Sequence, residues 1–282
     1  MLRKTQHGRT ASPWTRCLNE LTNWFRFKSA MKKITILLFL INGAAFAGGS
    51  LTPDIRISSE LLGYDLQYRV YIPEGADSAD DLSVLFVTDG PDYIRQGRMP
   101  RVLDRMIESG KMEPIVTVFV DARDPDNLRK NRRNSQFLCN KDYLSFYESE
   151  LIPHIEQNYP VGRNRDYRGI LGLSFGGTNA ACFGLLGYKT FSVIGMHSPA
   201  NYPVKALLPT YEKVPMLSLR IFLSTGTLND NTQANRKFRN VLKDKGYDLK
   251  YLEVREGHNW DNWRPLVDDV LSYFYGAENQ TD

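Results

Sequence analysis

The segment Gly172–Gly177 (Gly-Leu-Ser-Phe-Gly-Gly) most constrains how this 282-residue chain can fold. An apolar run, Tyr167 to Leu173, precedes it, and a helical run of small residues, Thr178 to Leu186, follows it. A strand can join a helix through so sharp a turn only where glycines let the two backbones approach closely. The sequence therefore predicts a strand, a tight turn and a helix, with Ser174 raised at the turn in the position of a serine nucleophile.

Apolar runs alternate with helical segments along most of the remaining chain. The expected strands are Tyr68–Ile72, Leu82–Thr88, Ile115–Asp121, Tyr167–Leu173, Phe191–Met196, Leu219–Ser224 and Leu249–Val254. The expected helices are Gly97–Glu108, Tyr143–Asn158, Thr178–Leu186, Thr232–Lys245 and Arg264–Tyr275. This alternation predicts an α/β fold, with a mostly parallel central sheet covered by helices on both faces.

Four polar segments follow expected strands and should meet at one edge of the sheet. They are the Thr88-to-Gly90 loop, Ser174, the Thr225-to-Asn231 loop and His258. Sites in α/β sheets form beyond the carboxyl ends of the strands. A serine hydroxyl is a poor nucleophile at neutral pH and needs a base, for which imidazole is well suited. The sequence therefore predicts an active site at this edge.

Three histidines after residue 47 are candidates for that base. His154 lies within a helical segment and His197 follows a strand, so both are interpreted as structural. His258 follows the last strand, the position expected when nucleophile, acid and base occur in the order Ser, Asp, His. We therefore predict that Ser174 is the nucleophile and His258 the base.

The third catalytic group should be a carboxylate that fixes the tautomer of the imidazole. Asp230 directly follows the penultimate strand, where it can reach a histidine presented by the next one. The alternative is an N-cap role for the helix that begins near Thr232, because Asp is favoured at that position. The strand-end position favours the catalytic interpretation of Asp230.

An oxyanion hole needs two backbone N–H groups aimed at the developing negative charge. The first would come from Phe175, which follows the nucleophile. The second would come from the loop after an early strand. Pro91 has no N–H, so Gly90 or Asp92 must supply it.

Residues Met31–Ala47 have the parts of a secretory signal peptide. Met31 and two lysines precede an apolar stretch, and Ala45-Phe46-Ala47 offers small residues to a signal peptidase. The apolar stretch is shorter than the roughly 20 residues of a membrane-spanning helix, so cleavage before Gly48 is preferred to a permanent anchor. Residues 1–30 are interpreted as an upstream mis-start or an extended n-region, and residues 48–282 as one periplasmic or secreted domain.

The formal net charge of +4 arises from the N-terminal segment. Residues 48–282 carry 28 Lys/Arg and 31 Asp/Glu, a net charge of −3, which removes the electrostatic basis for a nucleic-acid partner. Two cysteines, Cys139 and Cys182, lie in this part. An oxidising compartment permits a disulfide, but the helical position of Cys182 favours a buried free thiol. Neither cysteine has the spacing of a metal site, and no cofactor is expected.

Several short motifs resemble the esterase D and enterochelin esterase branch of the α/β-hydrolases. They are Thr88–Gly90, Gly97–Pro100, Phe119–Asp121, Leu151–Pro153, Gly172–Gly177, Ala234–Arg236 and Glu256–His258, the last followed by Trp260 and Trp263. The resemblance runs from about Tyr71 to Tyr275. It implies the α/β-hydrolase fold and serine esterase chemistry on a small-molecule ester, with nucleophile, acid and base roles that match Ser174, Asp230 and His258.

Basic residues are crowded between the third and fourth expected strands, at Arg123, Arg129, Lys130, Arg132 and Arg133. Together with Trp260 and Trp263, Arg132 and Arg133 could hold an anionic aromatic ester. The alternative is a solvated basic loop without a role in binding.

Three functions agree with these residues. The first is a secreted serine esterase that works through an acyl-enzyme. The second is an acyltransferase on the same scaffold, which differs only in the acceptor admitted during deacylation. The third is a catalytically inactive hydrolase fold that serves as a binding protein.

Overall fold

The apolar runs of the chain form the strands of one large sheet. The computed structural model describes residues 48–79 and 81–277. In these residues the sheet contains β1 (Ser50–Leu51), β2 (Ile55–Ser59), β3 (Tyr64–Ile72), β4 (Ser83–Val87), β5 (Ile115–Asp121), β8 (Arg168–Leu173), β9 (Val193–His197), β10 (Arg220–Gly226) and β11 (Asp248–Val254). A separate small hairpin consists of β6 (Arg123–Asp124) and β7 (Asn127–Asn131).

The strand order creates a crevice at the centre of the sheet. Across the described residues the order is β1-β3-β5-β4-β8-β9-β10-β11, and β2 pairs with β3. The pairs that involve β3 are antiparallel, whereas all pairs from β5 to β11 are parallel. The chain runs outward from β4 to one side and from β8 to the other. In α/β sheets a crevice forms where the chain turns to opposite sides in this way, beyond the carboxyl ends of the two strands. In this sheet the two strands are β4 and β8, which Thr88 and Ser174 follow.

Helices cover both faces of the sheet. They are α1 (Gly90–Arg95), α2 (Met99–Glu108), α3 (Arg133–Gln136), α4 (Lys141–Phe146), α5 (Ile152–Asn158), α6 (Phe175–Leu186), α7 (Leu207–Lys213), α8 (Thr232–Asp244), α9 (Trp260–Trp263) and α10 (Val267–Tyr275). A π-helical turn, Tyr147–Leu151, joins α4 to α5. Three 3₁₀ turns lie at Ala76–Ser78, Arg165–Tyr167 and Arg264–Leu266.

Side chains of the central strands alternate between two hydrophobic cores. In β4, Val84 and Phe86 pack with residues of α4 to α8 on one face. Leu85 and Val87 pack with residues of α1, α2 and α10 on the other face. Strands that are buried on both faces have continuous apolar sequences, and this explains why these strands could be recognised from the sequence.

The described structure confirms the predicted α/β fold with a mostly parallel sheet. Each expected strand is present, with ends displaced by no more than four residues. The segment Arg123–Arg133, to which sequence analysis assigned no element, contains the β6–β7 hairpin and the start of α3. All five residues of its strand β7 are exposed and only Leu128 is apolar, so the strand has no apolar alternation by which it could be recognised.

Cys139 and Cys182 form a disulfide, so the expectation of free thiols is wrong. Cys182 lies in α6 and Cys139 in the loop between α3 and α4, and their Cα atoms are 5.0 Å apart. Helical periodicity identified Cys182 as buried but gave no information about the segment that packs against it. The bond ties the helix that follows Ser174 to the segment that begins at Arg133.

The predicted signal peptide, Met31–Ala47, lies outside the described residues. From Gly48 onward the chain forms one structural unit. Among the helices of residues 48–79 and 81–277, none combines the length and apolar character needed to cross a membrane.

Candidate active site

Ser174 occupies the sharp turn between β8 and α6. Its backbone has φ 54° and ψ −119°, an uncommon conformation for a residue with a side chain. A Cβ atom at Gly172 would lie 2.3 Å from the backbone carbon of Gly176, and one at Gly176 would lie 2.4 Å from Thr88 Oγ1. The Ser174 N–H donates to the His197 carbonyl at 2.9 Å. The two glycines therefore permit the close strand-helix approach that holds Ser174 beyond the sheet edge.

His258 lies between β11 and α9 and contacts both expected partners. Its Nε2 is 2.8 Å from Ser174 Oγ, and its Nδ1 is 2.7 Å from Asp230 Oδ1. The Trp263 ring packs edge-on against the imidazole, with ring centroids 5.0 Å apart. When the Nδ1–H donates to the carboxylate, Nε2 offers a lone pair to the serine hydroxyl. The arrangement can therefore transfer a proton from Ser174 to His258.

Asp230 is surrounded by hydrogen-bond donors, and its side chain is fully buried. Burial alone would raise its pKa, but hydrogen bonds from His258 and other donors outweigh burial and lower the pKa to about 2. The N-cap of α8 is Asn231, so Asp230 does not take the capping position that was considered as an alternative. The other donors are the N–H groups of Gly226 (2.5 Å) and Asn231 (2.6 Å) and the side chains of Ser198 (2.6 Å), Asn262 (3.2 Å) and Thr225 (3.3 Å).

Sequence reasoning missed Ser198 and Asn262, which support Asp230 from behind. Ser198 follows β9 at the same sheet edge, with φ 46°. Its hydroxyl donates to Asp230 and accepts from Asn262 Nδ2 at 3.1 Å and Trp263 Nε1 at 3.0 Å. The strand-end position of Ser198 was the available signal. Trp263, predicted as a substrate contact, is 5% exposed and also belongs to this network.

The candidate oxyanion donors lie at the starts of two helices. Gly90 and Phe175 are the first residues of α1 and α6, where backbone N–H groups have no acceptor within the helix. The N–H of Asp92 donates to the Asp89 carbonyl at 2.9 Å, so it is occupied within the turn. A Cβ atom at Gly90 would lie 2.5 Å from the backbone of Phe119, which explains the glycine. Of the two alternatives for the second donor, the geometry therefore favours Gly90 over Asp92.

An ion pair links the two loops that carry these donors. Arg133 Nε lies 2.6 Å from Asp89 Oδ1, and Arg133 Nη2 donates to Asp89 Oδ2 at 2.9 Å. The same Nη2 is 3.5 Å from the carbonyl of Leu173, directly before Ser174. Burial raises the pKa of Asp89 to about 6, against the opposing attraction of Arg133. Arg133 therefore connects the end of β4 to the end of β8.

Two cavities lie beside Ser174, the predicted nucleophile. The nucleophile cavity, of about 300 Å³, is lined by Ser174, Phe175, Tyr202, Asn229 and His258 among others. The tryptophan cavity, of about 220 Å³, is lined by Asp89, Asp121, Arg123, Arg133, Trp260 and Trp263 among others. A larger cavity, of about 540 Å³, lies at the amino ends of the strands and contains none of the predicted site residues.

Three of the four predicted substrate contacts line the tryptophan cavity, and the fourth does not. Trp260, Trp263 and Arg133 line the tryptophan cavity. Arg132 lines neither cavity beside Ser174. Its side chain instead donates to Asp124 at 2.7 Å and stacks over the Tyr64 ring, 4.2 Å from the ring centroid. The neighbouring positions 132 and 133 thus project in different directions, and the sequence does not reveal this.

His197 and His154 lie apart from this proton path. His197 is fully buried, its Nδ1 lies 3.0 Å from the Tyr93 hydroxyl, and burial lowers its pKa to about 3. The ring of His154 packs edge-on against Tyr68, with centroids 6.1 Å apart. In the described part of the chain, no group of three or more His, Cys, Asp or Glu side chains could hold a metal ion.

The chain matches one family model and several known proteins. Residues 59–274 match the model of the Esterase family. YjcH of Bacillus subtilis (strain 168) is 24% identical over 226 residues, which cover 77% of this chain and 94% of YjcH. An endo-1,4-beta-xylanase/feruloyl esterase of Xylanibacter ruminicola is 28% identical over 229 residues, which cover 77% of this chain and 30% of that protein.

Solved structures share the fold at low sequence identity. The enterobactin esterase FES from Shigella flexneri superposes with a TM-score of 0.70 at 22% identity, covering 79% of this chain and 58% of that chain. A ferulic acid esterase superposes with a TM-score of 0.70 at 19% identity, covering 81% of this chain and 98% of that chain. The chain thus spans little more than half of the Shigella protein. Because the family match extends from the second strand to the last helix, the chain belongs to the Esterase family and is an ester hydrolase with an α/β-hydrolase fold.

Proposed function

We propose that this ester hydrolase is an exported serine carboxylic-ester hydrolase whose triad is Ser174, His258 and Asp230. The observation that carries the proposal is the continuous hydrogen-bonded path from Ser174 Oγ to His258 Nε2 (2.8 Å) and from His258 Nδ1 to Asp230 Oδ1 (2.7 Å). A carboxylate with a pKa of about 2 remains ionised at neutral pH. It can therefore stabilise the imidazolium that forms when His258 accepts a proton.

In the acylation step, Ser174 Oγ attacks the ester carbonyl carbon while His258 Nε2 takes the hydroxyl proton. The carbonyl oxygen becomes an oxyanion, which the N–H groups of Phe175 and Gly90 stabilise. The positive ends of α1 and α6 point toward the same charge. His258 then donates its proton to the leaving alkoxide, the carbon–oxygen bond breaks, and an acyl-enzyme on Ser174 remains.

In the deacylation step, a water molecule takes the place of the leaving alcohol. His258 removes a proton from this water, which attacks the acyl carbon through a second oxyanion in the same hole. The proton returns to Ser174 as the acid product leaves. Ser174 and His258 line the nucleophile cavity, which is open to solvent, and this supports access of water to the acyl group.

Export is the second part of the proposal. Its support is the sequence of Met31–Ala47, with its basic start, apolar stretch and Ala-x-Ala end. The disulfide between Cys139 and Cys182 agrees with folding in an oxidising compartment. We propose that the mature enzyme is periplasmic or secreted and acts on a small-molecule ester.

Ser174→Ala tests the nucleophile, with Ser224→Ala as a matched control. Ser224 lies in β10 and is fully buried, and its hydroxyl has no hydrogen-bond partner among the described residues. Ser174→Ala should lower the kcat for phenyl acetate by roughly 10³-fold or more, because only the oxyanion hole and binding would remain. Ser224→Ala should retain activity. Comparable turnover by wild type and Ser174→Ala would refute the triad.

A fluorophosphonate probe separates the remaining alternatives. A competent triad should be labelled stoichiometrically at Ser174, whereas an inactive hydrolase fold would stay unlabelled. Product analysis with added alcohols then distinguishes the hydrolase from an acyltransferase. We expect the free acid as the main product, and ester exchange that outcompetes water would instead identify an acyltransferase.

A further inference from the structure

The tryptophan cavity lies directly beside the proposed nucleophile. Leu173, which precedes Ser174, lines it, and so does Trp263, whose ring contacts His258. Its charged lining residues are three aspartates and two arginines: Asp89, Asp92, Asp121, Arg123 and Arg133. The formal charge of the lining is therefore negative, although the segment that supplies the arginines is rich in basic residues.

Each arginine of this cavity is already paired with a buried carboxylate. Arg133 lies against Asp89, whose side chain is 5% exposed. Arg123 donates to Asp121 through Nε at 2.8 Å and through Nη2 at 2.7 Å, and the Asp121 side chain is 6% exposed. No cation of the lining is thus free to meet an anionic ligand.

An anionic group in this cavity would therefore meet two unfavourable effects. If it displaced Asp89 or Asp121 from its arginine, a buried carboxylate would lose its partner. If it did not, it would lose contacts with water without meeting an unpaired positive charge, because Asp92 is also paired, with Arg95 at 3.0 Å. Either arrangement disfavours a carboxylate on the ester at this position.

The same ion pairs leave hydrogen-bonding capacity for a neutral ligand. In the described residues, Arg123 donates through Nε and Nη2 and Arg133 through Nη2, while Arg133 Nε lies in ion-pair contact with Asp89. The Nη1 group of each arginine has no acceptor there. Paired carboxylates retain lone pairs that can accept from a hydroxyl. Trp260 and Trp263 supply apolar ring surface within the same cavity. Donors, acceptors and ring surface together match an alcohol on an apolar skeleton.

We propose that the tryptophan cavity binds an uncharged, hydroxyl-bearing group of the ester and discriminates against carboxylates. The proposal rests on the proposed function, because it takes Ser174 as the nucleophile beside which the ester lies. It replaces the expectation, drawn from the basic residues of Arg123–Arg133, of an anionic aromatic substrate.

Two matched series of esters test the proposal. One series comprises phenyl acetates with CH₂OH, CH₂CO₂⁻ or CH₂N(CH₃)₃⁺ at the para position of the leaving group. The other carries the same three substituents on the ring of a phenylacetyl group, with phenol as the common leaving group. In at least one series, kcat/KM for the hydroxyl ester should exceed that for the carboxylate and the ammonium ester by about tenfold or more. Equal values in both series, or preference for either charged ester, would overturn the proposal.

Asp92→Asn provides a second, independent measurement. The Asp92 side chain is 44% exposed, so the substitution should not disturb folding. Removing its charge should raise kcat/KM for the carboxylate ester, relative to the hydroxyl ester, by about three- to tenfold. Asp126→Asn is the matched control, because Asp126 is 72% exposed, pairs with Arg56 and does not line the cavity. If the ratio of kcat/KM for the carboxylate ester to kcat/KM for the hydroxyl ester is the same in both variants, the proposal is contradicted.

Unsubstituted phenyl acetate keeps the two proposals separable. If wild type cleaves it and Ser174→Ala does not, the serine mechanism stands whatever the outcome of the substituent series. If neither protein cleaves it, the proposed function itself fails.

Discussion

Replacing Ser198 with alanine should reveal how much the buried network behind Asp230 contributes to stability. The hydroxyl donates to Asp230 at 2.6 Å and accepts from Trp263 Nε1 at 3.0 Å and from Asn262 Nδ2 at 3.1 Å. Its removal deletes a hydrogen bond to an ionised group, worth about 1.5–3 kcal/mol. It also leaves the buried Trp263 Nε1 without its acceptor, whereas Asn262 keeps its bonds to Asp230 and Gly257.

Together these losses should lower the free energy of unfolding by about 3 kcal/mol. For a domain of this size, that corresponds to a fall in Tm of roughly 6–12 °C. The effect on kcat should be smaller, about tenfold at most, because Asp230 keeps its N–H donors and remains ionised at neutral pH. The pKa of Asp230 should rise when the Ser198 hydroxyl no longer donates to it.

Ser224→Ala makes the same chemical change at an equally buried position. Because the Ser224 hydroxyl has no hydrogen-bond partner in the described residues, this variant should be as stable as wild type or more so. Calorimetry of both variants, with phenyl acetate turnover on the same samples, measures the difference. Equal falls in Tm for the two variants would show that the loss comes from a changed volume and not from the network, and would refute the reasoning.

The other predictions concern the acid, acid stability, the disulfide and export. Asp230→Asn should lower kcat by roughly 10³–10⁴-fold while Asn229→Asp changes it little, and a loss below tenfold would place the acid elsewhere. Folding lowers the pKa of Asp230 from 3.8 to about 2, so ionised Asp230 adds to the free energy of unfolding above pH 3.8, and this contribution is lost toward pH 2. The stability advantage of wild type over Asp230→Asn should therefore shrink by about 2 kcal/mol in that interval. Reducing the disulfide, which spans a sequence separation of 43, should cost about 4 kcal/mol by chain entropy, and an unchanged Tm in the reduced protein would contradict this. Expressed with its leader in a Gram-negative host, the protein should begin at Gly48, and N-terminal sequencing that found residues before Met31 would argue against export.

Much of the fold and the position of the site could be predicted because both depend on local patterns. Buried parallel strands are recognisable as apolar runs, and the carboxyl ends of such strands meet at one edge. Ser174, Asp230 and His258 each follow a strand, and the structure brings them within hydrogen-bond distance. Their catalytic roles remain predictions until the variants are measured.

The features that sequence reasoning missed depend on contacts between distant segments. Ser198 acquires its importance only because Trp263 and Asp230 approach it from two other loops. The pairing of Arg133 with Asp89 joins positions 44 residues apart and is not visible in the sequence. The basic residues of Arg123–Arg133 therefore suggested a site for anions. The disulfide partner of Cys182 was unpredictable for the same reason, since burial of one cysteine does not identify its neighbour.

The order of the site residues along the chain has a consequence for biosynthesis. Ser174 and the helix behind it are made well before His258, and Trp263, which supports the acid through Ser198, follows His258. If Ser174 and His258 act as proposed, a ribosome-bound chain in which β8 and α6 have emerged carries the nucleophile without its base. Hydrolytic activity would then arise only when nearly all of the domain has been synthesised and β11 has paired with β10. Partly made chains should consequently be harmless to esters in the compartment where translation takes place.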